Sequence, residues 1–308
     1  MQFFRALHNI QTFEQGCVLT IGNFDGVHLG HQRVLNKLKA TANTLGLPTV
    51  VMVFEPQPKE WFDVQTAPAR LSTLAEKTEL LADQGIDALA CMAFNNRFRG
   101  LSAEQFVKQV LVDGLNVKAI IIGDDFRFGC DRSGDFAYLQ KSGEQYGFDV
   151  QDTRTVEQEG ERISSTLIRQ ALNDADLSLA QSLLGREYSI SGRVAHGQKL
   201  ARTFGVPTAN VLLKRNHTPL VGVFAVEVFT QAGNFNGVAN IGMRPTVGGT
   251  KPILEPHLFG FAGDLYGQRI KVVFKQKIRD EKRFNGLDEL KAAILNDIQL
   301  AKAYFNEQ

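Results

Sequence analysis

The sequence has almost no net charge and no long apolar run. Its 308 residues carry a formal net charge of +1 at pH 7, so no overall attraction to nucleic acid or to a membrane surface is expected. Any anionic ligand must be held by local groups. No apolar stretch approaches the ~18 residues that span a bilayer. The N-terminal segment MQFFRALHNIQTFEQG lacks a long apolar region and a cleavage site, so we expect no signal peptide and a cytoplasmic protein.

Cysteine is also scarce. The three cysteines, Cys17, Cys91 and Cys130, are far apart and odd in number, which indicates neither a disulfide framework nor a zinc site. We expect buried free thiols in a reducing compartment. Hydrophobic residues make up 44% of the chain and charged residues 22%, a globular composition with enough material for two domains of ordinary size.

The first part of the chain alternates strand-like and helix-like segments. CVLTIG reads as a buried strand, the segment 31–46 as a helix closed by Gly46, and PTVVMVFEP as a second strand. Ser102 and Gln105 form a capping-box pattern at a later helix start, before the strand-like VKAIIIG. Strand, helix and strand at this spacing predict an α/β domain with a mostly parallel sheet, over residues 1–184.

The alternation of strand-like and helix-like segments stops near LLGREYSISG, and we place the domain boundary at Gly185. In residues 185–308, short β-type runs such as GVFAVEVFT, FNGVANIG and RIKVVFKQ are separated by Gly, Pro and Asn, which predicts an antiparallel sheet or barrel. The chain ends in a predicted amphipathic helix. Its apolar face is expected to carry Leu287, Leu290, Ile294, Ile298 and Phe305.

The segment IGNFDGVHLGHQ lies between the first predicted strand and the first predicted helix. A helix N-terminus presents unpaired N–H groups and a partial positive charge, and glycines let the backbone approach a phosphate closely. In this H-x-x-H pattern, His28 and His31 can both face such a ligand and donate hydrogen bonds to its oxygens. The alternative is that they are ordinary capping or surface histidines.

A second segment, ISSTLIRQAL, places Ser164, Ser165 and Thr166 at the start of a predicted helix, with Arg169 one turn further on. One hydroxyl suffices to cap a helix, and capping alone is one interpretation. Three hydroxyls and a guanidinium also suit a second phosphate clamp.

These segments resemble a known family. GNFDGVHLGH and ISSTLIR resemble the two signatures of the nucleotidyltransferase superfamily, and with GDDFRFG between them they resemble bacterial bifunctional riboflavin kinase/FAD synthetase. In the second half, GRVAHGQKLARTFGVPTANV, GVANIGMRPTV, EPHLFGFAGDLYG and IRDEKRF resemble the riboflavin kinase module in order and spacing. The resemblance covers nearly the whole chain. It implies a Rossmann-like nucleotidyltransferase domain followed by a kinase β-barrel with a terminal helix.

The resemblance implies an enzyme with two reactions. The γ-phosphoryl group of ATP is transferred to riboflavin to give FMN, and the AMP part of a second ATP is joined to FMN to give FAD and pyrophosphate. Mg²⁺ is the implied cofactor, and the implied partners are riboflavin, FMN, FAD and ATP. The resemblance places Gly22, Asn23, His28 and His31 at the ATP phosphates. It places Ser164, Ser165, Thr166 and Arg169 on the other side of the nucleotide.

The resemblance also implies a flavin site in the first domain. Pro56, Pro58 and Phe62 are expected by the isoalloxazine ring, and Asp125 near the flavin and Mg²⁺. Strand termination explains Pro56 and Pro58 as well.

In the second domain, Thr208 and Asn210 of the PTAN segment carry the hard oxygen ligands that suit Mg²⁺ on ATP phosphates. A plain turn is the alternative. The family uses Glu255 as general base on the ribityl 5′-hydroxyl. An unpaired glutamate inside a β domain is costly, which favours a functional role, and exposure on an outer sheet face is the alternative.

Some positions depart from the common family pattern: Gln57, Ala201, Val206 and Pro256. None removes a proposed catalytic group, but Ala201 and Pro256 bear on the kinase rate and ATP affinity. Two other functions remain open. One is a different nucleotidyltransferase whose β domain only binds substrate, which PTAN and Glu255 disfavour. The other is a non-enzymatic flavin-binding regulator, which the retained histidines disfavour.

Overall fold

The computed structural model describes residues 1–6, 9, 13–123, 125–153, 163–197, 205–246 and 249–306. The chain divides into two compact units. The first unit contains Met1–Ala67 and Lys77–Ser164, and the second contains Pro68–Glu76 and Ser165–Gln308. The second unit therefore takes one short segment from the first half of the sequence.

The first unit is built on a parallel sheet whose six described strands lie in the order β1-β4-β3-β2-β5-β6. The strands are β1 (Gln2–Arg5), β2 (Cys17–Ile21), β3 (Thr49–Glu55), β4 (Ala88–Ala93), β5 (Val117–Ile122) and β6 (Asp149–Asp152). The central strands are apolar and buried, as expected for a parallel sheet covered on both faces. The predicted α/β domain with a parallel sheet is confirmed.

The helical segments of this part of the chain are α1 (Leu29–Leu45), α2 (Pro58–Phe62), α3 (Leu74–Asp83), α4 (Asn96–Arg99), α5 (Ala103–Phe106), a π-helical segment (Val107–Val112) and α6 (Phe136–Tyr146). Helix α1 ends at Gly46, whose left-handed conformation closes it as predicted. The predicted capping box is also confirmed, because the Ser102 hydroxyl accepts from Gln105 N at 3.1 Å and the Gln105 side chain accepts from Ser102 N at 2.9 Å.

The three cysteines have different environments. Cys17 and Cys91 are buried free thiols, as expected, and burial raises the pKa of Cys17 to about 12. Cys130 is exposed, so the expectation of a buried thiol is wrong there. It lies in the loop after β5, where its backbone N–H donates to Leu101 O at 2.8 Å. The loop is held through its backbone and the thiol is left at the surface.

The second unit contains a closed antiparallel barrel, in agreement with the prediction, and its six described strands lie in the order β10-β11-β8-β7-β12-β9. The strands are β7 (Ser189–Ala195), β8 (Asn210–Leu212), β9 (Gly222–Thr230), β10 (Gly233–Thr246), β11 (Gly249–Leu258) and β12 (Arg269–Arg279). Val211, Ile241 and Leu254 are buried, and neighbouring residues in each strand point to the outer face.

Three helices accompany the barrel: α7 (Ser165–Asn173), α8 (Leu177–Leu184) and α9 (Leu287–Asn306). Helix α8 ends at Gly185, which adopts a left-handed conformation. Helix α9 packs through Ala301 on the outer barrel face, against Val223, Ala225 and Val238.

The predicted apolar face of α9 is partly wrong. Ile298 and Phe305 pack on the barrel as expected, but Leu287 is 58% exposed. Asp297 takes a buried position on this helix instead. It can do so because the Arg279 guanidinium donates to both carboxylate oxygens, at 2.9 and 2.8 Å.

Candidate active sites

The HxGH turn joins β2 to α1 at the carboxyl edge of the parallel sheet. His28 is buried and caps α1, because its Nδ1 accepts a hydrogen bond from His31 N at 3.3 Å. In a neutral His28 the proton is therefore on Nε2. The capping and phosphate-binding interpretations are compatible, since one ring nitrogen serves the helix and the other is a donor.

His31 stacks on His28, with ring centroids 3.6 Å apart, and Phe24 contacts it at 4.9 Å. Burial, together with His28 and Lys77, holds the pKa of His31 well below 6.5, so this imidazole is neutral at pH 7. Its Nδ1 atom is buried and has no hydrogen-bond partner among the described residues. Buried polar atoms are rarely left in this state, and a bound substrate is one way to satisfy them.

The backbone of the turn is strained. Phe24 has a φ of 44° and Val27 a φ of 41°, which is unfavourable for a bulky residue and more so for a β-branched one. Val27 is held in place because its carbonyl accepts from Gln32 Nε2 at 3.1 Å and its N–H donates to Phe24 O at 3.3 Å. Strain of this kind concentrates at functional sites. It supports a role for the turn beyond connecting two elements.

The strand order places this turn at a switch point. Strand β2 lies between β3 and β5, and the chain turns in opposite directions from it, which is where open parallel sheets bind ligands. Gly22 extends β2 by donating to Met52 O at 3.1 Å, and Asn23 follows at the surface. Asp125 lies after β5 and is exposed.

The start of the ISST segment lies against the same turn. A Cβ added at Gly30 would lie 3.1 Å from the His28 ring and 3.2 Å from Ile163 O, so glycine eases the close approach of Ile163 to the start of α1. Ser165, Thr166 and Arg169 open α7 and belong to the second unit. There Arg169 Nε donates to Ala69 O at 2.6 Å.

Pro56, Pro58 and Phe62 follow β3 on the same edge of the sheet. Pro56 follows the last strand residue, whereas Pro58 is the first residue of α2, a position that favours proline. The Phe62 side chain is 67% exposed and the Arg99 guanidinium lies 5.7 Å from its ring centre. An exposed aromatic ring beside a cation can stack on a flat ligand.

Phe62 is one end of an aromatic run that the sequence interpretation missed. The rings contact in series, with centroid distances of 6.2 Å for Phe62–Phe94, 6.3 Å for Phe94–Phe98, 6.1 Å for Phe98–Phe106 and 5.1 Å for Phe106–Phe128. The recurrence of phenylalanine shortly after the ends of β3, β4 and β5 was a usable signal, because these ends meet at one edge.

Glu255 lies on β11, where Leu254 points into the barrel and Glu255 to the outer face. It is therefore half-buried on the outer face and not inside the barrel, so the burial argument made from the sequence is wrong. On one side it pairs with Asn240 of β10. On the other side, Leu254 pairs with Val211, which puts Asn210 opposite Glu255. We call Asn240, Glu255 and Asn210 the catalytic row.

The PTAN segment is tied to β11. Ala209 N donates to Pro256 O at 2.9 Å, and His257 Nδ1 lies 2.8 Å from Pro207 O, so the backbone and this ring both hold the segment on β11. Thr208 is half-buried beside Asn210. Among the described residues, no group of three or more His, Cys, Asp or Glu is placed to hold a metal ion. The Thr208 hydroxyl and the Asn210 amide oxygen fit Mg²⁺ that takes its other ligands from phosphates.

Two further residues at this face were missed from the sequence. A Cβ added at Gly197 would overlap the Asn210 amide, so glycine makes room for that side chain. Glu281 forms a hydrogen bond with the Asn240 side chain, and burial raises the pKa of its carboxyl. Ala201 lies outside the described residues, and Val206 is buried.

The comparisons with known proteins match two family models to this chain. The FAD synthetase family model matches residues 10–167, and the Riboflavin kinase family model matches residues 184–305. A bifunctional riboflavin kinase/FMN adenylyltransferase from Pseudomonas fluorescens is 54% identical over 304 residues, 98% of this chain and 97% of its own length. The chain belongs to this family. The family member from Escherichia coli strain K12 is 52% identical and covers 99% of this chain and 98% of its own length.

The fold is also similar to that of a solved structure. A protein from Streptococcus pneumoniae named a macrolide-efflux protein matches with a TM-score of 0.79 and 30% identity, over 98% of this chain and 99% of its own. That name differs from those of the family members above. In the described part of this chain, no helix has the length and apolar character needed to cross a bilayer.

Proposed function

We propose that each of the two family reactions is carried out at its own site in this chain. The HxGH turn would adenylylate FMN, and the catalytic row would phosphorylate riboflavin, both with ATP and in the cytoplasm. The buried, unpartnered Nδ1 of His31 at a helix N-terminus supports the first assignment most strongly. The position of Glu255 between two side-chain amides supports the second.

In adenylyl transfer, an oxygen of the FMN phosphate attacks the α-phosphorus of ATP and the bond to pyrophosphate breaks. No protein nucleophile is needed, so the protein positions the reactants and neutralises the charge that grows on pyrophosphate. His28 Nε2–H, the His31 ring and the N-terminus of α1 are the proposed donors. Gly22 and Asn23 bind the same nucleotide, with Ser164, Ser165, Thr166 and Arg169 as its second clamp.

The flavin of FMN is proposed to stack on Phe62 at the exposed end of the aromatic run. Pro56 and Pro58 form the neighbouring wall and Asp125 faces the site from the loop after β5. This placement uses the exposed Phe62 ring, which offers a flat apolar surface on which a large planar ring can stack.

In riboflavin phosphorylation, the ribityl 5′-oxygen attacks the γ-phosphorus of ATP and ADP leaves. Glu255 takes the proton from the hydroxyl as the new bond forms. Asn240 and Asn210 hold the carboxylate from both sides of the row. Thr208 and Asn210 would hold Mg²⁺, which supplies charge neutralisation at the ATP phosphates.

The test is to incubate the full chain with riboflavin, ATP and Mg²⁺ and to separate the flavins by chromatography. FMN should appear first and FAD after it, and FMN supplied without riboflavin should yield FAD and pyrophosphate. A protein that makes FAD from FMN but no FMN from riboflavin would contradict the kinase assignment. One that stops at FMN would contradict the adenylyltransferase assignment.

A further inference from the structure

The sequence comparison and the structure assign residues Pro68–Glu76 to different parts of the molecule. They fall within the residues 10–167 matched by the FAD synthetase family model. In the structure they pack with Ser165–Gln308, in the unit that contains the kinase barrel. A segment of one enzyme's sequence is therefore part of the other enzyme's fold.

Glu76 makes the central contacts of this segment. Its Oε1 accepts from Ser191 N at 2.6 Å, and its Oε2 accepts from the Arg215 guanidinium at 2.8 Å. Thr73 donates to Oε2 through both its N–H and its hydroxyl, at 2.6 and 2.8 Å. We call Glu76, Arg215, Ser191 and Thr73 the Glu76 clasp.

The Glu76 clasp is an ion pair removed from water. The Arg215 side chain has 0% exposure and that of Glu76 has 9%. Arg215 also donates to the Tyr188 hydroxyl and to Arg70 O, each at 3.2 Å. An arginine is almost never fully buried without a partner, and removing that partner leaves an uncompensated charge in the interior. Glu76 is the carboxylate that neutralises it.

The Glu76 clasp joins the two strands that position Asn210. Ser191 lies on β7, and Arg215 follows β8 in the buried series Val211, Leu213 and Arg215. Strands β7 and β8 pair over only three residues, including Ala195 with Asn210. A slip of one residue would turn the Asn210 side chain from the outer face into the barrel. So short a pairing benefits from a contact that fixes both strands.

We propose that Glu76 is a positioning residue for riboflavin phosphorylation. It acts by holding β7 and the end of β8 in the register that presents Asn210 beside Glu255. This inference rests on the proposed function of Asn210 as an Mg²⁺ ligand in the kinase reaction. It assigns a kinase role to a residue in the FAD synthetase part of the sequence.

The test uses Glu76→Gln in the full chain. Glutamine keeps the size of the side chain, but it removes the negative charge opposite Arg215. The half-saturating Mg²⁺ concentration for FMN formation should rise by about 10–100-fold, the usual effect of losing an outer contact that orients a metal ligand. FAD formation from supplied FMN should not change, because the HxGH turn is left intact.

A second-site variant separates positioning from loss of folding. Arg215→Met removes the buried charge, so the double variant Glu76→Gln/Arg215→Met should recover thermal stability relative to Glu76→Gln. It should still need more Mg²⁺ than the wild type, because the strands are no longer joined. Asp83→Asn, an exposed acid on the same helix α3, is the matched control and should leave both activities unchanged.

The possible results are distinct. The Glu76→Gln protein could have a lower melting temperature but an unchanged Mg²⁺ requirement. That result would show that Glu76 has only a structural role and would overturn the proposal. An equal fall in FMN and FAD formation would overturn it too. Failure of the proposed kinase function would be visible separately, since the wild type itself would then make no FMN.

Discussion

The two candidate sites are built in different ways. In the first unit, the phosphate-binding groups of the HxGH turn lie within ten consecutive residues, on a strained turn and a helix N-terminus. In the second unit, the catalytic row takes one side chain from each of three neighbouring strands. A turn site is encoded locally, whereas a row on a barrel exists only when the strands pair in register.

This difference determines how a substitution disturbs each site. A substitution in the HxGH turn acts on the substituted group and its immediate neighbours. A change in strand register moves every member of the catalytic row together, because side chains alternate between the two faces of a strand. The following substitutions test each side of the contrast.

The largest effect is expected for Glu255→Gln. Glutamine retains the size and a hydrogen-bond acceptor but cannot take the proton, and general base catalysis is worth about 10²–10⁴-fold. FMN formation should fall by that factor, measured by chromatography at saturating riboflavin and ATP, while FAD formation from FMN continues. Glu227→Gln, on β9 of the same barrel, is the matched control. Near-normal FMN formation by Glu255→Gln across the pH range would reject the base assignment.

His28 and His31 allow the capping role to be separated from the catalytic one. His28→Ala, His28→Asn and His31→Ala should each lower FAD formation by about 10²–10³-fold, because each removes a preorganised donor. Only His28→Ala should also lower the melting temperature markedly, since asparagine is a good helix cap. FMN formation should persist in all three variants. Equal loss of both activities in a folded variant would contradict the division of labour.

Gly197→Ala should have a smaller and more selective effect. The added methyl group would occupy the place of the Asn210 amide and displace it from the catalytic row. The Mg²⁺ needed for half-maximal FMN formation should rise about 10-fold, the lower end of the range for disturbed ligand orientation. Gly205→Ala offers a control with open space around the added atom, although its φ of 77° strains the backbone. An unchanged Mg²⁺ requirement would show that Asn210 does not hold the ion.

The smallest expected effect is on pH-dependent stability. Burial, His28 and Lys77 keep the pKa of His31 below the ordinary value of 6.5, so the unfolded chain binds a proton more readily than the folded one. The stability linked to His31 is therefore complete above that value and is lost as the pH falls below it. His31→Gln should make the melting temperature less dependent on pH between about pH 7 and pH 5. An unchanged slope would assign the acid sensitivity to other groups.

Much of the fold was predictable because its signals are local. The alternation of strands and helices, Gly46 as a helix end and the Ser102–Gln105 capping box depend on neighbouring residues, and all are confirmed. The failures involve distant partners. Leu287 of helix α9 is exposed. Asp297 of the same helix is buried, because Arg279 from strand β12 neutralises its carboxylate. The helical periodicity of the sequence does not show which distant residue pairs with Asp297.

In the candidate sites, too, the features that depend on residues distant in the sequence were not predicted. His28 and His31 stand three apart and were found from their spacing, and the structure brings their rings into contact. Asn240 and Gly197 were missed because their roles depend on strand pairing with Glu255 and on packing against Asn210. The domain boundary at Gly185, which remains a prediction, coincides with a helix end but leaves out residues 68–76.

The Glu76 clasp also has a consequence for the order of events during synthesis. Glu76 and Arg215 are separated by 139 positions in the chain. At a translation rate of about 5–20 residues per second, Glu76 leaves the ribosome roughly 7–28 s before the arginine that it neutralises. Throughout that interval the nascent chain carries the segment Pro68–Glu76 before the residues that it packs with have been made. Completion of the barrel is therefore also the step that removes this segment from solvent and from competing contacts.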